Sequence, residues 1–480
     1  MTDTAFYYED TICAPATPAG GAISVIRISG KRAVEIADSL FKQKVGKSLA
    51  QRAAGTVAFG DILDEEGETL DEVLVTLFRA PHSYTGEDSV EISCHGSAYI
   101  ASRLLQSLIA KGCRMARPGE FTQRAFLNGK MDLSRAEAVA ALIASTSAAS
   151  HRVALKQMRG QFSEELAALR DKLLHLTTLL ELELDFSDHE DLEFADRTQL
   201  QDITEEIRAK LSRLASSFRL GNAIKNGIPV AIAGATNTGK STLLNALLGE
   251  DRAIVSDVHG TTRDTIEETL NIDGVLFRFI DTAGLRETDE VVEQIGIQRT
   301  FKKISEASII LGMIDLTRDF ESTRETIRSI IEKVDFSCQK LIFLLNKTDI
   351  SDVRANTDTT DFIISELENK GVARTNTAII PISAKTGSGV GNLRTHLADS
   401  QRDLLADSDT TLVTNQRHIQ ALTDAHTSLL RVRSGLAAGL PTDLAAQDIR
   451  EAIYHLGSIV GEISSDEVLG NIFRNFCIGK

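Results

Sequence analysis

The residues best suited to chemistry lie between Gly234 and Ser241, where the order is glycine, four other residues, glycine, lysine and serine. This spacing is typical of a loop that cradles phosphate, because Gly239 lets the backbone turn its N–H groups towards an anion. Lys240 is expected to reach the β- and γ-phosphates, and the Ser241 hydroxyl to hold Mg²⁺. A strand-like apolar segment precedes the loop and a helical apolar pattern follows it, as the motif requires. The region therefore predicts a nucleotide site.

Two further segments extend this site. Residues 276–284 form a strand pattern that ends in Asp281, which is suited to hold Mg²⁺ through water, and Gly284 can donate its N–H to the γ-phosphate. Residues 340–349 form a second apolar strand pattern that ends in Asn-Lys-Thr-Asp. Asp349 can accept hydrogen bonds from the N1–H and the exocyclic amine of guanine, and adenine cannot offer this pair of donors.

The remaining residues of these motifs also favour guanine. Asn346 is expected to hold the loop and the base edge, and the aliphatic stem of Lys347 to pack on the base. Ser383 and Ala384 follow another apolar segment, where a backbone N–H can meet the guanine oxygen. Together the motifs predict a Ras-like P-loop GTPase domain over residues 222–393, built as a parallel sheet with helices on both faces.

The residues that would accelerate hydrolysis differ from those of small signalling GTPases. Leu285 stands where those proteins place a glutamine, and a leucine cannot orient water. Asn237, with threonines and carbonyls of residues 255–264, could hold a monovalent cation over the phosphates in place of an arginine finger. Glu293 is the candidate for positioning the water, although a surface carboxylate on a helix is the simpler interpretation of its position alone.

Composition limits the classes of protein. The chain has 480 residues, 42% of them apolar, which is typical of a globular protein of roughly three domains. We expect no signal peptide, membrane-spanning run or disulfide framework, and therefore a cytoplasmic protein. The net charge of −16 argues against wholesale coating of nucleic acid. Residues 111–135 are a basic exception, either a solvated helix face or the place where contact with nucleic acid would begin.

Four segments are predicted along the chain: residues 1–124, 125–221, 222–393 and 394–480. Helical apolar spacing dominates 125–221 and 394–480, and neither segment forms an obvious core alone. We therefore predict one helical-bundle domain into which the GTPase domain is inserted, preceded by an N-terminal α+β domain. The whole chain is predicted to be a multidomain α/β protein.

Two residues outside the GTPase domain also suggest function. Arg27 lies in an apolar strand pattern, and a buried guanidinium needs an anionic partner, either Glu91 or a bound anionic ligand. Cys477 is the fourth residue from the end of the chain. Because glycine and lysine occupy the last two positions, the prenylation pattern does not fit. Cys477 is then either a functional thiol or buried filler.

The N-terminal and C-terminal segments have the most specific resemblance to a known family. With the central motifs, they make the chain similar from end to end to the MnmE (TrmE) family of bacterial and organellar tRNA-modification GTPases. The similar stretches are SVIRISG, SYTGEDSVEISCHG, RPGEFTQRAFLNGKMDLSRAEAVAALI, AGATNTGKSTLLNALLG, GTTRD, DTAGLRE, NKTD and FCIGK. The phosphate-binding loop is the least specific of them, since many GTPases share it.

The resemblance implies ligands for each domain. The N-terminal domain would be folate-binding-like and would form a constitutive homodimer, with a functional Cys477 near the folate. The residues that would meet 5-formyltetrahydrofolate or methylenetetrahydrofolate are Arg27, Glu91, Lys130 and Lys480. Those that would hold K⁺ are Asn237, Ser256, Val258 and Thr261, while Ser241 and Thr262 would hold Mg²⁺ and Glu293 would position the catalytic water. The complete set expected at GTP is Asn237, Thr238, Gly239, Lys240, Ser241, Thr242, Ser256, Thr261, Thr262, Asp281, Thr282, Ala283, Gly284, Asn346, Lys347, Asp349, Ser383, Ala384 and Lys385.

The resemblance also implies a reaction. With the flavoprotein MnmG, as a heterotetramer, such a protein adds an aminomethyl or carboxymethylaminomethyl group to carbon five of the wobble uridine of certain tRNAs. The one-carbon unit comes from a methylene-folate, and GTP hydrolysis drives a conformational cycle. Two alternatives are a ribosome-assembly GTPase, which should have a separate RNA-binding module, and a GTP-dependent binding switch, which needs no ligand site around Arg27 and Glu91.

GTP hydrolysis should be stimulated strongly by K⁺ and much less by Na⁺, because the expected oxygen ligands would hold K⁺ where other GTPases use an arginine. Steady-state hydrolysis rates in matched KCl and NaCl solutions test this prediction. Equal rates in the two salts would contradict it.

Overall fold

The structure, a computed structural model, describes residues 10–18, 20–185, 197–249, 268–280, 305, 307–400, 411–438, 442–462, 466–474, 476 and 479. Contacts within the chain divide it into two compact units. The terminal unit comprises residues 1–144, 154–212 and 420–480, and the central unit comprises residues 145–153 and 213–419. The domain boundaries expected from the sequence, after residues 124, 221 and 393, stay predictions.

The described part of the chain contains both strands and helices, which alternate most regularly between residues 309 and 399, as expected for an α/β domain. The strands are β1 (Thr11–Pro15), β2 (Ile23–Ser29), β3 (Phe41–Gln43), β4 (Thr56–Leu63), β5 (Thr69–Phe78), β6 (Ser89–His95), β7 (Cys113–Met115), β8 (Ile228–Ala233), β9 (Glu268–Ile272), β10 (Val275–Phe279), β11 (Ile309–Asp315), β12 (Lys340–Asn346) and β13 (Thr377–Pro381). The helices are α1 (Ala33–Leu40), α2 (Ala98–Ala110), α3 (Glu120–Leu127), α4 (Leu133–Ile143), α5 (Ala148–Met158), α6 (Gln161–Asp185), α7 (Arg197–Ser216), α8 (Phe218–Asn226), α9 (Lys240–Gly249), α10 (Phe320–Lys333), α11 (Val353–Asn369), α12 (Val390–Asp399), α13 (Gln416–Ala437), α14 (Thr442–Val460) and α15 (Asp466–Arg474). In the described part of the chain, none of the helices combines the length and the hydropathy that a membrane crossing requires.

The terminal unit contains a seven-stranded sheet in the order β3-β4-β5-β6-β2-β1-β7. β1 and β7 are parallel, and the other neighbours are antiparallel. Val73, Val75 and Leu77 of β5 are buried and alternate with more exposed residues, because successive side chains of a strand point to opposite faces. α1 and α2 pack on the buried face. The register places Arg27 of β2 opposite Glu91 of β6.

The opposite face of this sheet has large apolar side chains on its surface. Val57 and Phe59 of β4 and Leu74 of β5 are 54%, 50% and 48% exposed. Phe59 and Leu74 are direct cross-strand partners, so the three side chains lie together and are called the β4–β5 patch here. Clustered apolar side chains on an exposed face are typical of a contact surface for another protein.

Helices form the rest of the terminal unit. α6 packs against α14, and α15 packs against α3. Near the end of the chain, Leu469 and Phe473 of α15 join a buried apolar cluster with Leu133 of α4. The apolar residues of α6 repeat at spacings of three and four and share one buried face: Leu169, Leu173, Leu176 and Leu180.

The central unit contains a six-stranded sheet in the order β13-β12-β11-β8-β10-β9. β9 and β10 are antiparallel, and the other neighbours are parallel. Every residue of β11 is buried, as expected for a parallel strand that is covered on both faces. α9 and α12 pack on one face, and α10 and α11 on the other. The predicted parallel sheet with helices on both faces is confirmed.

Three parallel strands of the central unit end at the same edge of the sheet. β8 ends immediately before the phosphate-binding loop, and β11 and β12 end in Asp315 and Asn346, which are direct strand partners. Because the strands run in the same direction, the loops that follow them lie next to one another, and in such sheets this edge is where ligands bind.

The docking of α15 on α3 can be tested at a glycine. Gly119 has a φ of 69°, and a Cβ there would lie 2.6 Å from the carbonyl oxygen of Phe473. Gly129 has the same φ of 69°, with nothing within 4 Å of such a Cβ. Gly129→Ala should therefore lower the free energy of unfolding by about 1 kcal/mol through backbone strain. Gly119→Ala should lower it by about 1–3 kcal/mol more through overlap with α15.

Urea denaturation of the full chain measures both losses under the same conditions. If the two alanine variants lost the same free energy, α15 would be free to move aside and would not be fixed against α3.

Candidate functional site

The phosphate-binding loop joins β8 to α9. Gly239 has a φ of 96°, and a Cβ there would lie 2.6 Å from Nδ2 of Asn346, so the position requires glycine. Lys240 begins α9 and donates from Nζ to the carbonyl oxygens of the first two loop residues, at 3.0 and 2.7 Å. Burial and the nearby Arg318 guanidinium hold the pKa of Lys240 below its usual value. The ammonium therefore lies over the loop, at a helix N-terminus suited to anions.

Asn346 links the phosphate-binding loop to the segment that follows β13. It lies at the end of β12 and is 3% exposed. Its Nδ2 donates to the carbonyl oxygen of Thr238 at 2.7 Å, and its Oδ1 accepts from the backbone N–H of Ala384 at 2.9 Å. The sequence predicts that this N–H region meets the guanine oxygen, whereas in the structure the N–H of Ala384 is used by Asn346.

Lys347 follows with a φ of 68°, which is uncommon for a residue other than glycine. Its Nζ donates to Oδ2 of Asp315 at 2.6 Å. Burial would raise the pKa of the Asp315 carboxyl, but hydrogen bonds from Lys347 and Thr317 outweigh burial and hold that pKa below its ordinary value. Sequence reasoning missed Asp315. The available signal was an aspartate that ends an otherwise apolar strand.

The other described residues of the predicted nucleotide site surround these loops. Asn237 lies in the phosphate-binding loop with a φ of 62°, and Ser241 lies in the first turn of α9. Thr238 and Ser383 are each 1% exposed. The side chains that are exposed, and so accessible to a ligand, are Asn237, Thr242, Asp349 and Lys385. Among the described residues no group of three or more His, Cys, Asp or Glu could hold a metal ion, and a Mg²⁺ site built from hydroxyl, phosphate and water oxygens needs no such group.

Several predicted residues lie outside the part of the chain that the structure describes. They are Ser256, Val258, Thr261, Thr262, Asp281, Thr282, Ala283, Gly284, Glu293, Cys477 and Lys480. Their expected roles at GTP, at the two cations and at the folate stay predictions.

Arg27 and Glu91 form a second candidate site, in the terminal unit. Nε and Nη2 of Arg27 lie 2.9 and 2.8 Å from Oε1 of Glu91. Cζ of Arg27 lies 5.4 Å from the ring centre of Tyr84 and 5.7 Å from that of Phe121. The two predicted residues are thus paired with each other, while the guanidinium, whose side chain is 21% exposed, can still meet a ligand. Lys130, also expected here, donates from Nζ to a backbone carbonyl oxygen at 2.8 Å.

Gly479 packs against β1 in the same unit. Gly479 is buried, and a Cβ on it would lie 2.0 Å from the carbonyl oxygen of Pro15. Ala14, the residue before Pro15, is the strand partner of Arg27. The glycine of the terminal Cys-Ile-Gly-Lys is therefore packed one strand away from the Arg27 backbone.

The basic stretch of residues 111–135 is partly used in internal ion pairs. The side chain of Arg124 is 3% exposed and lies 2.6 Å from Asp10 and 3.0 Å from Glu120. Arg114 lies 2.6 Å from Glu120. Burial would raise the pKa of Glu120, but Arg114 and Arg124 outweigh it and hold that pKa below its usual range. These two arginines stabilise the fold and do not form an open surface for nucleic acid.

Replacing Asn346 with alanine should lower the free energy of unfolding of the nucleotide-free protein by about 2–5 kcal/mol, because two buried backbone groups would each be left unpaired. Urea denaturation measures the loss. Asn376→Ala is the matched control: it removes one half-buried bond, from Nδ2 to the carbonyl oxygen of Phe336 at 3.2 Å, and should lower the free energy by about 1 kcal/mol. A loss for Asn346→Ala no larger than that of the control would contradict a linking role.

Family models and curated relatives match this chain over nearly its whole length. The model of the GTP-binding protein TrmE N-terminus matches residues 11–130, and that of the MnmE helical domain matches residues 133–477. The tRNA modification GTPase MnmE of Parabacteroides distasonis is 54% identical over 473 residues, covering 98% of this chain and 100% of that protein. The proteins of the same name from Bacteroides fragilis (strain ATCC 25285) and Flavobacterium johnsoniae are 53% and 52% identical, again over 98% of this chain, covering 100% and 99% of those proteins. With the geometry of the nucleotide site, these matches establish that the chain belongs to the MnmE family of tRNA modification GTPases.

Proposed function

We propose that this tRNA modification GTPase works with the flavoprotein MnmG to add an aminomethyl or carboxymethylaminomethyl group to carbon five of the wobble uridine of certain tRNAs. The observation that most supports the proposal is the Arg27–Glu91 pair beside two aromatic rings, with Gly479 packed on the neighbouring strand. A cation suited to an anionic ligand and the terminal Cys-Ile-Gly-Lys thus belong to one compact unit.

Arg27, Glu91, Lys130 and Lys480 would hold a tetrahydrofolate in the terminal unit. A carboxylate of this ligand can pair with a guanidinium or an ammonium, and its flat ring can lie on a guanidinium or an aromatic face. Glu91 would accept hydrogen bonds from N–H groups of the ring. When bound, methylenetetrahydrofolate supplies the one-carbon unit. The family resemblance implies that Cys477 lies near this site, and the packing of Gly479, two residues further on, against Pro15 is consistent with that expectation.

In the central unit, Lys240 would transfer its hydrogen bonds from the loop carbonyls to the β- and γ-phosphates, and Asp349 would read the guanine edge. Glu293 would orient the attacking water. Bound Mg²⁺ and K⁺ would supply positive charge at the phosphates. The residues proposed to hold Mg²⁺ are Ser241 and Thr262, and those proposed to hold K⁺ are Asn237, Ser256, Val258 and Thr261.

The assembly is also part of the proposal. Two copies of the chain would meet through their N-terminal domains, and the exposed apolar β4–β5 patch is a surface of the kind that such a contact needs. The net charge of −16 and the internal pairing of Arg114 and Arg124 favour MnmG as the source of most contacts with tRNA. A cytoplasmic location, expected from the sequence, belongs to the same proposal.

Mass spectrometry of tRNA wobble nucleosides tests the function. Cells that lack this protein should lose the modified uridine, and wild type should restore it. Cys477→Ser should fail to restore it if the terminal thiol takes part, whereas Cys338→Ser, which changes an exposed cysteine of the central unit, should restore it fully. Restoration by both serine variants would keep the function and remove Cys477 from the chemistry.

The variant Arg27→Gln tests whether folate binding can be lost without loss of GTP hydrolysis. This variant should lose binding of 5-formyltetrahydrofolate, measured by calorimetry, and restoration of the nucleoside, while its rate of GTP hydrolysis stays close to that of wild type. Unchanged wobble nucleosides after deletion, in cells with no second copy, would contradict the proposed function.

A further inference from the structure

Asp315 is the centre of a cluster of charged side chains beside the nucleotide site. It lies at the end of β11, and its side chain is 4% exposed. Its Oδ2 accepts from Nζ of Lys347 at 2.6 Å, and its Oδ1 accepts from the backbone N–H and the hydroxyl of Thr317, at 3.0 and 2.6 Å. Both carboxylate oxygens are thus fixed, and the ammonium of Lys347 is held at one point. The aliphatic stem of Lys347 is left to lie along a base.

Arg318 connects the same carboxylate to the phosphate-binding loop. Its Nε lies 3.9 Å from Oδ2 of Asp315, and its Nη2 donates to the carbonyl oxygen of Thr236. That oxygen belongs to the peptide bond between Thr236 and Asn237, and Asn237 has a φ of 62°. Asparagine adopts this left-handed conformation more readily than most residues other than glycine, but it is still uncommon. The hydrogen bond from Arg318 restrains the peptide plane that precedes Asn237.

The charges of this cluster do not cancel. Among the residues that the structure describes, the Asp315 carboxylate faces two cations, Lys347 and Arg318, so these three side chains carry one net positive charge. Arg318 contacts the loop itself, and it lies near enough to Lys240 to disfavour that residue's charged form. The excess positive charge therefore lies on the phosphate side of the cluster, where a nucleotide anion would relieve the repulsion.

We propose that Lys347, Asp315 and Arg318 form a base-to-phosphate link, which positions the residue that packs on guanine and the loop that binds phosphate through one shared carboxylate. The proposal rests on guanine-nucleotide binding by the central unit, and it adds Asp315 and Arg318 as positioning residues. A base packed on Lys347 restrains Asp315, and Asp315 restrains the guanidinium that fixes the peptide after Thr236. The position of the loop that binds the β-phosphate thus depends on how the base is held at Lys347.

Equilibrium affinities of the full-length protein for GDP and for GMP test the link. Arg318→Ala should weaken GDP binding about tenfold and GMP binding by less than about twofold, because the β-phosphate is the group that the loop holds. Asp315→Asn should weaken the binding of both nucleotides about tenfold, since it also releases Lys347. Arg328→Ala, the matched control, removes an exposed ion pair with Glu366 and should change neither affinity.

Two further variants separate positioning from general damage to the fold. The double variant Asp315→Asn with Arg318→Ala should bind GDP within about twofold of the weaker single variant, because the two residues act in series. Arg318→Lys keeps a charge and a donor and should recover part of the GDP affinity. Equal weakening of GDP and GMP by Arg318→Ala, or additive losses in the double variant, would overturn the link.

Nucleotide binding by the wild-type protein separates a failure of the proposed link from a failure of guanine-nucleotide binding, on which the link rests. Failure of wild type to bind either nucleotide would overturn nucleotide binding and the link with it. Tight binding by wild type with unchanged affinities in the variants would overturn the link alone.

Discussion

The nucleotide site depends on the two hydrogen bonds of the Asn346 side-chain amide, because this one buried group joins two loops that are far apart in sequence. Its donor bonds Thr238 in the phosphate-binding loop, and its acceptor bonds Ala384 after β13. Both the N–H donor and the oxygen acceptor of a buried amide must be hydrogen-bonded, since an unpaired donor or acceptor in a low-dielectric interior is costly. The two loops are consequently held in one arrangement around the end of β12, and the glycine at position 239 is required by the close approach of this amide.

Buried charge has the same organising effect in both units. In the terminal unit Arg124 is enclosed by Asp10, Glu87 and Glu120, and in the central unit Asp315 is shared by Lys347 and Arg318. Such groups stabilise a structure only as complete sets, because a single member left behind would be an uncompensated buried charge. The fold therefore divides the basic residues of the sequence into those that pair with buried carboxylates and support the fold, and those that remain accessible.

The terminal unit brings together segments from opposite ends of the chain. β1 pairs with β2, which contains Arg27, and Gly479 packs on the last residue of β1. The contact with Pro15 is close enough to exclude a larger residue at position 479. The proposed folate-binding residue Arg27 therefore lies on the strand next to the one against which the glycine of the terminal Cys-Ile-Gly-Lys packs, although about 450 positions separate the two residues in sequence.

Local patterns in the sequence predicted β8, β10 and β12, the phosphate-binding loop and the preference for guanine, because apolar strands, glycine spacing and an Asn-Lys-Thr-Asp motif are set by backbone conformation and nucleotide shape. They did not predict β9 or β11. The sequence also placed Arg27 in a strand and named Glu91 as one of its two possible partners, and the register of β2 and β6 then paired them. Tertiary structure alone decided that Ala384 uses its N–H for Asn346, that Arg124 is internal, and that Asp315 and Arg318 lie beside the phosphate-binding loop. These outcomes depend on which strands become neighbours, and contacts between residues that are distant in sequence leave no periodic pattern in the chain.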